Sequence, residues 1–383
     1  MSEITYGRGT HEQFAAYMEF INMVFGFQKG VNEFETLLPK LYRPELDPAV
    51  KSFTAMEDGR FVGAVGAYPL ELSVCGTPVK GVGIGNVAVH PAYRSRGIMQ
   101  KLLTMAVDDM VEQGACFSAL GGQRQRYNYF SYDCCGPLYC YHIGPNNLRH
   151  FFPADSALRL TAAPVEPDDA ETLDAIAALS DAQAYHPVRR REELYNILCS
   201  WRDKPWVFRE NGKFAGYCVL SESGRVSEIL AAKDEDLLEM IRVLAAPGRD
   251  IQISIPGFRT DYRKALEPFV NSVSIGCSEQ FTVLRFREVL DAFLRLKASC
   301  CNLSDGRMTV LVHGRGGDER LEITAEAGRT GVAVTQAEAD VELSHLEAMN
   351  FFFAPACALR SSAPAVASNW FPLPLWLYSA DAV

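Results

Sequence analysis

The chain has 383 residues, 48% of them hydrophobic, and a formal net charge of −10. At roughly 150 residues per domain this is enough for two or three cored units, and the acidity disfavours nucleic acid and membrane surfaces as partners. No apolar run reaches about 18 residues and no leader-like segment opens the chain, so a cytoplasmic protein is expected. Eleven scattered cysteines, with Cys134–Cys135 and Cys300–Cys301 adjacent and no C-x-x-C pair, argue against a disulfide framework and a metal site. They read as free thiols.

In chain order, residues 11–25 read as a helix followed by a Phe-rich loop. Residues 61–68 and 70–79 read as two strands. The β-branched run Val82, Ile84, Val87, Val89 reads as a further strand, ended by His90-Pro91. An amphipathic helix then carries Ile98, Leu102, Leu103, Met105, Ala106 and Met110 at helical spacing, opened by Ser95 or a neighbour. A strand follows at 116–120. Turn residues at 144–153 and 162–167 mark a boundary near 150–165. The second unit reads as helices 169–183 and 190–200, strands 206–209, 213–221 and 226–232, and helix 234–245. A third unit begins near 285 with helix 286–297, strands 308–312, 321–325, 331–334 and 341–343, and helix 345–353. The tail 369–378 holds two Trp, one Phe and three Leu, which need burial, so it is expected to pack into a groove.

The segment 87–103 carries the chemistry. A strand, a basic Gly-containing turn and a helix start together offer unpaired N–H groups and a positive dipole end, a site suited to a pyrophosphate. Arg94 and Arg96 add charge, Ser95 and Ile98 add backbone N–H groups, and Gly97 admits the anion to the main chain. His90 reads as a structural turn residue. The second unit repeats the order strand, strand, helix. Its corresponding turn, Ala231-Ala232-Lys233-Asp234-Glu235-Asp236, is acidic and should repel a pyrophosphate.

The pattern Arg94-x-x-Gly97-x-Met99 resembles the acyl-coenzyme A signature Arg/Gln-x-x-Gly-x-Gly/Ala of GNAT acetyltransferases, with Met99 in place of the small last residue. Residues 126–132, Arg-Tyr-Asn-Tyr-Phe-Ser-Tyr, resemble the Ile-Tyr-Gly-Arg-Phe-Gly-Tyr of the enhanced intracellular survival (Eis) family, Asn128, Tyr129 and Ser131 replacing Gly, Arg and Gly. The three units in order resemble that family along the whole chain. The resemblance implies an α+β fold with a GNAT domain at 1–150, a degenerate GNAT-like domain at 151–284 and a sterol-carrier-like domain at 285–383. It implies acetyl-CoA as co-substrate, bound by the first domain at Arg94, Ser95, Arg96, Gly97 and Ile98, with the N–H groups of Val87 and Val89 holding the thioester carbonyl and pantetheine. It makes Tyr127 the general acid and the carboxylate of Val383 the base, with Asp381 nearby as runner-up. The implied acceptor is the amine of a cationic small molecule, aminoglycoside- or polyamine-like, and the implied assembly a homo-oligomer, a hexamer. Two other readings stay open: a protein lysine or N-terminal acetyltransferase, and a non-catalytic acyl-CoA or lipid-binding protein.

Overall fold

The computed structural model describes residues 3–26, 33–152, 156–246, 248 and 250–383. Most of the Phe-rich loop after residue 25 lies outside the described residues. Strands β1 (Thr5–Arg8), β2 (Ser52–Glu57), β3 (Arg60–Val74) and β4 (Thr77–Val89) form an antiparallel run. The expected pair of strands at 61–68 and 70–79 is instead one long strand and the start of the next. Their turn is Cys75–Gly76, both at positive φ, as a two-residue hairpin with twisted strands requires. Pro69 is tolerated inside β3 because β2 pairs it only as far as Gly66, leaving that edge open for the missing donor.

Helix α1 (Phe14–Phe25) begins three residues later than expected, after a 3-10 turn at His11–Gln13. Helix α2 (Ile98–Glu112) buries Ile98, Leu102, Leu103, Ala106, Val107 and Met110 against the sheet. Strand β5 (Phe117–Leu120) runs parallel to β4 over Gly81–Ile84. The next strand, β6 (Asp133–Ile143), does not lie beside β5.

The second half supplies β7 (Thr161–Pro164), α3 (Ala170–Asp181), β8 (Tyr185–Pro187), β9 (Lys204–Glu210), β10 (Lys213–Leu220), β11 (Arg225–Ala231), α4 (Asp236–Ala245), β12 (Ile251–Pro256) and β13 (Ser272–Val283). Asp169 caps α3 by accepting from the Thr172 N–H. The expected helix 190–200 is only Leu194–Leu198 between two 3-10 turns, ended where Trp201 takes φ 62°. Strands β12 and β13 escaped the sequence reading.

Those two strands organise the molecule. Among the described residues one sheet runs β1-β2-β3-β4-β5-β13-β6-β12-β11-β10-β9-β7, with β8 on the β3 edge. Strand β13 from the second half is inserted between β5 and β6, and β6 from the first half is inserted between β13 and β12. Each half has a parallel pair joined by a helix, β4–α2–β5 and β11–α4–β12, and the halves exchange their last strands.

The third unit is a four-stranded sheet, β14 (Gly306–Gly314), β15 (Gly317–Glu326), β16 (Arg329–Val334) and β17 (Val341–Ser344), in the order β16-β15-β14-β17. It is flanked by α5 (Phe286–Cys300) and α6 (His345–Phe353). Its core is continuous with Phe117, Ala119 and Phe281 of the large sheet and with the tail, whose Trp370, Leu373, Leu375, Trp376 and Leu377 are buried. Among the described residues no helix is long and apolar enough to cross a membrane, no group of His, Cys, Asp and Glu could hold a metal ion, and no disulfide joins any of the eleven cysteines.

Candidate active site

Strand β4 closes at His90, whose Nδ1 accepts from the Ala92 N–H. One 3-10 turn, Pro91–Tyr93, then leads through Arg94–Gly97 to α2. Ser95 and Gly97 take left-handed backbone, φ 63° and 76°, which only glycine adopts without strain. Gly97 rather than Ser95 is the N-cap, and no side chain caps the helix. The first N–H groups of a 15-residue helix therefore stay available at the positive end of its dipole. Arg94, Ser95, Arg96 and Gly97 are exposed and Ile98 is buried as the anchor. Arg96 stacks over Tyr93 at 4.7 Å, and nothing lies within 4 Å of where a Gly97 Cβ would stand. Met99 packs against the α2 core, so its bulk is taken up there and not in the turn.

The β4–β5 pair splits beyond Ile84 and Leu120. A register shift in the β3–β4 ladder, with Asn86 at φ 51°, bends β4 away at that point. The His90 N–H bonds to Val62 O on β3. By alternation the N–H of Val89, and that of Val87 two residues earlier, face the split.

Just past β5 the chain turns through Gly121–Gly122 into a short helix, Arg124–Tyr127. Tyr127 is buried with the α2 core. Its ring occupies the space of a Gly122 side chain: a Cβ there would lie 2.7 Å from Cε2. Burial raises the Tyr127 hydroxyl above the usual phenol range, and Arg126 opposes the shift. Glu279 of β13 reaches the same turn, its Oε1 3.9 Å from where a Gly121 Cβ would stand. Burial pushes its carboxyl up to about 7, against a hydrogen bond from the Gln280 N–H.

The tail returns to the first half. Ser278 Oγ bridges the backbone N and O of Leu377, and the Tyr185 hydroxyl bonds to Trp376 O. Arg189 grips Asp381 with two bonds of 2.9 and 2.7 Å and Glu228 with two more of 2.9 and 2.7 Å. Lys40 Nζ donates to the carbonyls of Ala380 and Ala382. Burial pushes Lys40 down to about 7, Arg189 adding to the effect and Asp381 opposing it. Val383 then lies on a glycine stripe of β4. A Cβ on Gly83 would stand 2.6 Å from its Cγ2, and one on Gly85 3.5 Å from its carbonyl carbon. A cavity of about 620 Å³ opens beside it, walled by Leu41, Tyr68, Leu70, Val82, Ile197 and Leu377.

Residues 5–134 match the model of the acetyltransferase (GNAT) domain family. The chain carries a GNAT acetyltransferase domain. Comparison with curated protein sequences finds no match. Solved structures share the fold from end to end. A GCN5-related N-acetyltransferase from Kribbella flavida has a TM-score of 0.70 at 15% identity, covering 100% of this chain and 99% of that one. One from Anabaena variabilis gives 0.66 at 12% identity, with 99% of each chain covered. Eis1 from Mycobacterium abscessus gives 0.62 at 15% identity, with 98% of each covered.

Within the GNAT domain, Arg94–Ile98 lie at the N-terminus of α2 and Val87 and Val89 line the split strand pair. Val383 lies on β4, while Tyr127 packs in the α2 core. Asp381 does not fit the expectation of a free carboxylate near the amine, because Arg189 holds both of its oxygens. Sequence reasoning missed Lys40, Arg189 and Glu279. The stripe Gly81-x-Gly83-x-Gly85, three glycines on one face of a strand, was the readable signal that something packs closely there.

Proposed function

We propose that the protein transfers an acetyl group from acetyl-CoA to the amine of a small molecule by direct attack, in the first half of the chain. The observation that carries this reading is the split β4–β5 pair, with an uncapped, basic helix start at one side and Val383 laid on β4. The turn Arg94–Ile98 would hold the pyrophosphate through backbone N–H groups and two exposed guanidinium groups, and the exposed Gly97 leaves room for it. The N–H groups of Val87 and Val89 would pair with the pantetheine arm and the thioester carbonyl.

The amine nitrogen attacks the thioester carbon, the C–S bond breaks, and the sulfur leaves with a proton. Tyr127, its hydroxyl kept protonated by burial, would supply that proton. The proton lost by the amine would pass to the carboxylate of Val383, directly or through a water. No covalent intermediate is needed.

Aminoglycoside- and polyamine-like acceptors suit the acidity of the whole chain but not the cavity beside Val383, whose unpaired charges are mostly cationic. An extended peptide would compete with the tail end for the same cleft. The third unit's inner face is filled by Met308, Val310, Leu321 and Ile323 packed on its helices, which disfavours a lipid carrier. The test is free-thiol release from acetyl-CoA across a panel of amines. Amine-dependent release supports transfer. Tight acetyl-CoA binding without release by any amine would favour the binding-protein reading.

A further inference from the structure

The cavity beside Val383 constrains the charge of its occupant. Three side-chain carboxylates line it, and two are already held in ion pairs. Asp381 is held by Arg189, and Glu193 by Arg43. Lys40 is turned onto the tail carbonyls. What remains is Glu71 and the terminal carboxylate of Val383 against Lys51, Lys80 and Arg190.

Among the described residues Lys51 and Lys80 form no ion pair, and Arg190 has only a 3.9 Å contact with Glu192. Lys51 precedes β2 and Arg190 follows β8, which docks on the β3 edge and carries Arg190 to the cavity rim. Lys51 is half-buried. Its ammonium is disfavoured first by burial and next by Arg190, ahead of the opposing Asp47 and Glu193. Two cations that repel each other across one wall, one of them partly desolvated, form a site that an anion would relieve. The volume, about 620 Å³, lies within the usual range for small-molecule sites.

We infer that the acceptor is an amine that also carries an anionic group, a carboxylate or a phosphate, seated between Lys51 and Arg190 with its amine directed at Val383. This rests on the transfer reading and narrows it. The overall charge of −10 does not describe the Lys51–Arg190 corner of the cavity, because two of the nearby acids, Asp381 and Glu193, are paired with arginines from distant parts of the chain.

Matched acceptors test it. Thiol release from acetyl-CoA would be compared for β-alanine against its amide and for phosphoethanolamine against ethanolamine, with spermidine as a polycation. The anion-bearing member of at least one pair should have a kcat/KM about ten- to a hundredfold higher, the scale of a charge-assisted contact. The pair showing the larger gap tells carboxylate from phosphate. Lys51→Glu and Arg190→Glu, each checked for an unchanged melting profile, should raise KM for that member and erase its preference. Neutral amines or spermidine used equally well or better, or no use of the anion-bearing members, overturns the inference. Acetyl-CoA binding is measured separately by calorimetry. Its absence would remove the transfer reading itself, whereas binding without the preference removes only the anionic acceptor.

Discussion

The two halves of the large sheet are built alike and treat the same three positions in opposite ways. At the strand-to-helix turn, the first half has exposed Arg94 and Arg96 around an uncapped Gly97. The second has Asp236 and Glu239 in the first turn of α4, tied to Arg159 through its side chain and its backbone N–H. At the end of the split strand, the first half leaves the Val89 N–H facing the gap. In the second, the matching Ala231 N–H donates to the buried Tyr262 hydroxyl at 2.8 Å. The tyrosines correspond as well, since Tyr127 and Tyr262 both sit in the short helix that follows the second strand of the parallel pair. One phenol closes its cleft, with Arg259 stacked on its ring at 3.4 Å. Among the described residues the hydroxyl of the other makes no such bond to backbone, and the Val89 N–H stays open. A duplicated scaffold thus keeps its packing in both copies while the donors that would meet a ligand are left open in one and sealed in the other.

The tyrosine contrast gives the largest expected effect. Tyr127→Phe keeps the ring and removes the hydroxyl, and kcat should fall by about 10²–10⁴ with little change in acetyl-CoA affinity. Tyr262→Phe should leave turnover near wild type and instead lower stability by about 1–3 kcal/mol, because it strands a buried N–H. Steady-state kinetics and denaturant melts on the two variants separate these outcomes, and activity within twofold of wild type in Tyr127→Phe would return that residue to a packing role.

The tail gives the next effect. Gly83→Val puts branched carbon where Val383 now lies, and a short extension beyond Val383 moves its carboxylate. Both should cut turnover severely while the melting temperature stays close to wild type. Full activity in a C-terminally extended protein would deny the carboxylate a part in catalysis.

Arg94→Ala should weaken acetyl-CoA about ten- to a hundredfold, whereas Arg159→Ala in the second half should not change it. Titration calorimetry distinguishes the two.

The smallest effect concerns Glu279. Its folded carboxyl titrates near 7 against an ordinary 4.5, so between those values the folded state holds a proton that the unfolded chain has released. Stability should fall as pH rises through that window. Glu279→Gln should flatten the fall and be the more stable protein at pH 8, as read from melts at several pH values. An unchanged pH profile would show that the carboxyl is not held in this way.

What the sequence made legible was local. The run from Val82 to Leu103 announces strand, turn and helix because each signal lies within a few residues of the next. Even there the N-cap moved from Ser95 to Gly97, since the cap depends on which residue takes the left-handed turn. The apolar tail announced its burial. The strand exchange was hidden, because β13 joins β5 and β6 across more than a hundred residues; its alternation of Val273, Ile275, Cys277, Phe281 and Val283 with small and polar residues marks a strand, but not which strands it pairs with. The Lys40 clamp on Ala380 spans 340 residues, and the cancellation of Asp381 by Arg189 spans 192. No local pattern reports such pairings, which is why the group of Lys51, Lys80 and Arg190 at the cavity could not be read from the acidity of the whole chain.

The contrast between the halves is tested most directly by the stoichiometry of acetyl-CoA binding. Titration calorimetry should give one site per chain, lost when Gly97→Val puts a branched side chain in the turn and unaffected by Asp236→Asn. Two sites per chain, or unchanged binding in Gly97→Val, would contradict the account.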